Sequence, residues 1–260
     1  TGVVNAATVA TLTGAASAMN TAYTAGGNSE ISGLGNEAIT LDDTTLAVAT
    51  LNTLDGNTTG AVNAATITTL TGAAAAMNTA YASGGITGLA NEAITLDDTS
   101  LAIATLNTLN GNTTGVINAN TITTLTGAAA AVITSYDSSG ISGLGDEKLT
   151  LSGSTSVANA NTLAADTTGV ITATITETDA ATLVTLTETT NAYTITVGDT
   201  SVTAANLNTI DGATTVAVTA TAVTTITGAA SAVNTALSSS TITGLGEEFV
   251  TLTGSTSVAD

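Results

Sequence analysis

The sequence predicts a repeat solenoid of stacked coils, each with one parallel β-strand and a short helix or helical turn on the return. Three observations predict it. Long phrases recur along the chain, each repeat opens on a short alternation of apolar and polar residues, and each then changes to a helical spacing of apolar residues. The alternative is an all-β parallel β-helix, in which the Ala-rich stretch is an extended or irregular return.

The recurrence is direct. "GLGNEAITLDDTTLAVATLNTLDGNTTG" at 33–60 returns at 88–115 as "GLANEAITLDDTSLAIATLNTLNGNTTG", an offset of 55 residues. Residues 143–169 continue the series one residue shorter, and 244–260 begin a further copy. A second block, "VNAATITTLTGAAAAMNTAY" at 62–81, has gapless counterparts at 4–23, 117–136 and 218–237. The insertion "NSE" at 28–30 falls in a Gly-flanked loop, where insertions are tolerated. Between 170 and 215 two short units lack the Ala block. The whole reads as one continuous array, with units near 1–58, 59–113, 114–167, 168–214 and 215–260.

Each unit opens with a strand pattern. "ITL" at 39–41 and 94–96, "LTL" at 149–151, "ITV" at 195–197 and "VTL" at 250–252 place aliphatic residues inward and Thr outward. "VNA" at 4–6 and 62–64, "INA" at 117–119, "ITA" at 171–173 and "VTA" at 218–220 do the same with Asn or Thr, which makes ten strands in all. Stacked at about 4.8 Å, ten coils predict a rod of roughly 45–50 Å.

The period then changes. Ile67, Leu70, Ala74, Met77 and Tyr81 form a helical stripe; the columns recur from Val9 to Tyr23, Ile122 to Tyr136 and Val223 to Leu237. Gly14, Gly72, Gly127 and Gly228 interrupt it at about 1 kcal/mol each relative to Ala. Either the helix begins after the Gly, or the Gly admits a neighbouring backbone. Such small units cannot bury an apolar face alone and must stack.

Composition narrows the function. The chain has 260 residues, a net charge of −19 from 20 acids and one base, Lys148, and neither Cys, His, Pro nor Trp. Thiolate and imidazole chemistry, disulfides and the commonest zinc ligands are thereby removed, and no enzyme is expected. So acidic a chain is not expected to bind nucleic acid, whose affinity comes from Lys and Arg on phosphates. No apolar run reaches a membrane span, and no signal peptide opens the chain. Thr1 in place of an initiator Met suggests a window of a longer array. Mean hydropathy of +0.42 supplies enough burial for folding.

"GLGNEAITL", "LNTLDGNTTG" and "SVTAANLNTIDGATTVAVTATAVTTITG" resemble the repeats of very large, low-complexity surface and adhesin-like proteins of marine cyanobacteria. One such protein is similar to the giant cell-surface protein needed for non-flagellar swimming. The resemblance implies an extracellular or cell-surface location, great length and a structural or adhesive role, with no catalytic residues. Some relatives carry calcium-binding nonapeptides of the form GGxGxDxUx; this chain has none.

Three candidate sites follow. Asp42, Asp43, Asp97 and Asp98 follow equivalent strands, and Asn36-Glu37, Asn91-Glu92, Asp146-Glu147 and Glu247-Glu248 precede them. A calcium ion between such carboxylates and loop carbonyls is the one cofactor this pattern admits. The plainer reading is a solvated acidic rim that keeps the array soluble, and it is favoured because no spacing matches an established calcium loop. The second candidate is the outward ladder of Thr40, Thr95, Thr150, Thr196 and Thr251, interleaved with Asn5, Asn63, Asn118, Thr172 and Thr219. It could bind ice, polysaccharide or a cell surface, or simply suit an exposed strand face, with Asn amides stacking along the array. A carboxylate-pair hydrolase using Asp42 and Asp43 is disfavoured, because an active site is built once and these acids recur. The expected role is therefore a structural module forming a rod, fibre or adhesive stalk that self-associates end to end or side by side. The alternative is a binding solenoid that uses the Thr/Asn face.

Overall fold

The computed structural model describes residues 2–254. They form two compact units: one holds the chain up to 122 and 137–144, the other 123–136 and the chain from 145 onward. Both are built from short parallel strands alternating with helices, and the described residues contain 21 strands and nine helices. The helices are α1 (Ala16–Gly27), α2 (Val48–Asn57), α3 (Ala74–Ala82), α4 (Ile103–Asn112), α5 (Ala129–Tyr136), α6 (Val157–Asp166), α7 (Ala180–Leu183), α8 (Ala204–Gly212) and α9 (Ala230–Ser238).

The expectation of one strand per coil is corrected. Strands Val62–Asn63 and Thr69–Gly72 precede α3, whereas Ile86–Thr87, Ala93–Leu96 and Ser100–Ala102 precede α4. Four of the extra strands come from "TLTG" and "TITG", read above as the start of the helical stripe. The others are short strands such as Ile86–Thr87 and strands that lead into a helix, such as Ser100–Ala102, and the strand expected at 195–197 is an isolated bridge at Thr196 that follows the strand Ala192–Thr194. In Thr69–Gly72 the two Thr flank an inward Leu70, so β-branched alternation prevails and Leu70 is fully buried from a strand. The apolar columns at Val9 and Leu12, Ile67 and Leu70, Ile122 and Leu125, and Val223 and Ile226 therefore lie before the helix. The helices begin two residues after Gly14, Gly72, Gly127 and Gly228, the first of the two options the sequence left open. Gly72 is needed on both counts: its φ is +130°, and a Cβ would lie 3.0 Å from Val48 Cγ1. The Ala-rich segments that follow are helical, with Ala74, Met77 and Ala80 of α3 buried.

Register shows how the coils stack. In the first unit Leu46 pairs with Leu70, Leu70 with Ile94, Ile94 with Ile117 and Ile117 with Ile141, successive partners lying 23 or 24 residues apart. The 55-residue sequence period therefore spans two coils of unequal length. The longer coil has three strands, and the first strand of the next coil pairs with its second strand: Ile39 with Val62, Ile94 with Ile117. In the second unit Leu149 pairs with Ile171 in the same way. These columns make the core: Ile39, Val62, Leu70, Ile94, Ile117, Leu125, Leu149 and Ile171 are all buried.

Candidate binding face and the polar groups behind it

Threonine in this chain serves three purposes, and its hydrogen bonds separate them. On the helices Thr21, Thr53, Thr79, Thr108, Thr134, Thr162, Thr209 and Thr235 donate to the carbonyl four residues earlier. In the turns, hydroxyls reach the preceding coil: Thr66 to Leu41 O at 2.9 Å, Thr121 to Leu96 O at 3.0 Å, and Thr58, Thr113 and Thr167 to the carbonyls of Glu37, Glu92 and Glu147. Asn side chains add rungs between neighbouring helices: Asn20 donates to Thr50 O, Asn52 to Ala76 O, Asn78 to Thr105 O and Asn208 to Ala232 O. Together these make an internal ladder of Ser, Thr and Asn side chains joined by long-range hydrogen bonds.

The third class lies on the outer face of the strands. In the first unit the rows run Thr13, Thr40, Asn63, Thr87 and Thr71, Thr95, Asn118, Ser142. In the second unit Thr126, Thr150 and Thr172 form one row, Ser154, Thr174 and Thr194 another, and Thr203, Thr227 and Thr251 a third. Thr196 lies beside Thr219. The predicted Thr40, Thr95, Thr150, Thr196 and Thr251 all point outward, each next to another hydroxyl or Asn side chain. Thr13, Thr71, Thr126 and Thr227 complete these rows and were hidden in the supposed helical stripe. Neighbours across strands are about 4.8 Å apart and alternate residues along a strand roughly 6.6 Å.

Among the described residues, Thr13, Thr40, Thr71, Thr95, Thr126, Thr150, Thr172, Thr174, Thr194, Thr227 and Thr251 make no side-chain hydrogen bond, whereas the helical and turn Thr named above do. The Asn residues do not stack their amides. Asn5, Asn63 and Asn118 each accept from the amide two residues on, closing an Asx turn at the strand end.

The acids are drawn inward. Asp43 Oδ2 accepts from Ala16 N and Asp98 Oδ2 from Ala74 N, both at 2.7 Å. Ala15 and Ala73 at the N-cap positions have no oxygen to offer, so the next coil supplies the cap for α1 and α3. Asp199 likewise accepts from Ala180 N of α7 and Glu177 from Val157 N of α6, in addition to those helices' own caps, Asp179 and Ser156. In the same column Gly153 and Gly254 replace Asp43, Asp98 and Asp199. Asp42 and Asp97 remain exposed. No group of three or more Asp, Glu, His or Cys side chains among the described residues is placed to hold a metal ion. Asp98→Ala is expected to lower stability by about 1 kcal/mol and Asp98→Asn by a few tenths, because the amide oxygen still accepts; urea denaturation measures both.

The solvated rim is corrected at its most regular column. Glu37, Glu92 and Glu147 are each 0% exposed. Tyr23, Tyr81 and Tyr136 donate to their carboxylates at 2.8, 2.7 and 2.7 Å. The amides of Gly35, Ala90 and Gly145 donate to the same groups. Burial works against the charge of Glu37, but the amides of Gly35, Glu37 and Asn36 and the Tyr23 hydroxyl outweigh it and hold the carboxyl below its ordinary range. Burial, reinforced by the carboxylate acceptor, pushes Tyr81 and Tyr136 well up.

One coil solves the same problem differently. Helix α7 is a single turn and supplies no Tyr; Tyr193 of the strand Ala192–Thr194 fills the Glu column instead. It is 1% exposed, its hydroxyl accepts from Asn191 Nδ2, and burial pushes it up to about 12. A phenol whose folded pKa is raised contributes stability that is complete below about pH 10 and is lost as pH climbs toward 12. Glu37 has the opposite sign: its contribution is present above the unfolded carboxyl pKa near 4.5 and is lost as pH falls below it. Thermal melting across pH is expected to show a plateau between these limbs.

The remaining acid column is an acceptor position. Ser83 donates to Asp55 Oδ2, Ser138 to Asn110 Oδ1 and Ser239 to Asp211 Oδ2. Asp and Asn interchange there because each supplies the oxygen.

No helix among the described residues is long and apolar enough to cross a membrane. No protein-family model, curated protein or solved structure matches this chain.

Proposed function

We propose that the chain is a non-enzymatic binding module, a solenoid of a secreted or surface-displayed repetitive protein that presents its Thr/Asn strand face to an extended, uncharged, periodic ligand such as polysaccharide or ice. One observation carries this reading. Most helical and turn Thr spend their hydroxyls internally, whereas on the strand face the hydroxyls of the eleven Thr named above are left for an external partner. Thr87, Thr243 and Ser142 at the row ends instead donate to Val62 O, Val218 O and Ile117 O. Evenly spaced hydroxyls suit a ligand that repeats on a similar scale and offers many weak hydrogen bonds at once. On the outward side of the described strand rows the charged and aromatic side chains are Lys148 beside Thr124 and Phe249 beside Thr225, Tyr193 being buried, so a charged ligand finds little to pair with. The same net charge of −19 argues against nucleic acid. The extracellular location follows from the resemblance of the repeat phrases.

Partition into slowly growing ice and co-sedimentation with insoluble polysaccharides test the proposal. Capture by one of these surfaces is expected, with a loss of at least tenfold in Thr172→Lys and none in Thr162→Lys on the outside of α6. Failure of every surface to retain the protein, or equal retention of both variants, refutes the face.

A further inference from the structure

The outward hydroxyls form two full ranks at one place, in the second unit. Thr126, Thr150 and Thr172 make the first rank, and Ser154, Thr174 and Thr194 the second. Elsewhere among the described strand pairs a second rank stops after one or two strands, at Ala38, Ala93, Lys148 or Phe249. Rows of the first unit also run into Asn63 and Asn118, whose oxygens close Asx turns, and into Thr87 and Ser142, which donate to carbonyls. Ser154 joins its rank through a bulge: Thr150 pairs with Thr172 and Ser154 with Thr174, with Gly153 at φ +72° between them. On the next strand Ile171, Ala173 and Ile175 are buried, which turns both Thr172 and Thr174 outward.

Three properties of this patch select its ligand. Thr150, Ser154, Thr172, Thr174 and Thr194 are exposed, and none of the 20 acids of the chain lies in either rank. The patch has no aromatic platform, since Tyr23, Tyr81 and Tyr136 donate to buried glutamates and Tyr193 is buried, whereas the apolar face of a sugar ring ordinarily stacks on such a platform. The β-branched Thr is stiff at χ1, so its hydroxyl and methyl are held in place and lose little freedom on meeting a rigid surface.

The spacing points the same way. A tetrahedral lattice of waters joined by hydrogen bonds of about 2.75 Å repeats at about 4.5 Å in one direction and about 7.3 Å at right angles to it. The ranks repeat at about 4.8 Å across strands and roughly 6.6 Å along them. Over three strands and two ranks the mismatch reaches about 0.6–0.7 Å, so a centred lattice lies within about 0.4 Å of each hydroxyl, comparable with the spread of hydrogen-bond lengths. We propose that this patch binds ice, its hydroxyls taking the place of waters at the crystal surface. The inference rests on the binding-face reading above and names its site and ligand.

Retention in slowly growing ice tests it, for the parent chain, Thr174→Lys, Thr194→Lys and Thr95→Lys, the last on the strand face of the first unit. The parent is expected to be retained, Thr174→Lys and Thr194→Lys to lose at least tenfold, and Thr95→Lys less than twofold. Circular dichroism is expected to be unchanged in all three, because these side chains are exposed and unbonded. Co-sedimentation with insoluble cellulose and chitin runs beside it. Retention by a polysaccharide and not by ice overturns the ice assignment and leaves the binding face standing; failure on every surface removes both. An equal loss in Thr95→Lys overturns the patch. Self-association of the parent in sedimentation velocity that Thr174→Lys abolishes, with no retention in ice, gives the patch to a second copy of the chain and overturns the proposal.

Discussion

Replacing Glu92 by Ala is expected to destabilise its unit by about 3–5 kcal/mol, among the largest effects of any side-chain truncation in the chain. The carboxylate is wholly buried and accepts from the Tyr81 hydroxyl at 2.7 Å and from the Ala90 amide at 3.0 Å. Hydrogen bonds to a charged group contribute about 1.5–3 kcal/mol each, and truncation also leaves two buried donors unmatched. Glu92→Gln keeps an acceptor oxygen and is expected to lose about half as much. Glu248 supplies the control. It occupies the same column, accepts from Gly246 N, and is partly exposed, but the Tyr column holds Leu237 in that copy. Glu248→Ala is therefore expected to cost no more than about 1 kcal/mol. Chemical denaturation followed by circular dichroism separates the three variants, and equal losses for Glu92→Ala and Glu248→Ala would contradict the role given to the tyrosine.

Gly115→Ala is expected to cost about 3 kcal/mol or more, although Gly→Ala commonly stabilises a folded chain. A Cβ at Gly115 would fall on the Glu92 carbonyl oxygen and lie 2.7 Å from the Asn91 oxygen. Gly60 meets Glu37, and Gly169 meets Glu147, in the same way. The demand is one of space, because the Thr113 hydroxyl that binds Glu92 O also accepts from Gly115 N and pulls the two backbones together. Gly111→Ala in α4 is the counterpart, since nothing lies within 4 Å of a Cβ there. It is expected to stabilise by up to about 1 kcal/mol. Val216 fills the column of Gly115 in the coil where Tyr193 replaces the glutamate, so the requirement belongs to the Tyr–Glu–Thr–Gly set and not to the fold at large.

That set was legible only in part. Tyr81, Glu92, Thr113 and Gly115 recur together as Tyr23, Glu37, Thr58 and Gly60 and as Tyr136, Glu147, Thr167 and Gly169. Read singly, Glu92 beside Asn91 looks like a surface acid, since its partners lie 11 residues before and 21 residues after it. Comparing which columns change together would have exposed the link: Leu237 replaces Tyr in the copy whose glutamate is partly exposed. Asp43 and Asp98 were misread for a similar reason. A helix cap is ordinarily sought within the same turn, and theirs is borrowed from the next coil, 27 and 24 residues away.

The repeat, the inward aliphatic columns and the outward Thr follow from the sequence alone, because a two-residue alternation and a recurring phrase are local and need no partner to be recognised. The number of strands per coil, the 23- or 24-residue register within a 55-residue period, and the burial of Glu37, Glu92 and Glu147 were decided only in the tertiary structure. The physical reason is common to all three. Each depends on which coil lies above and below, where parallel strands must keep their hydrogen bonds in step and a buried charge must find donors from residues distant in the chain.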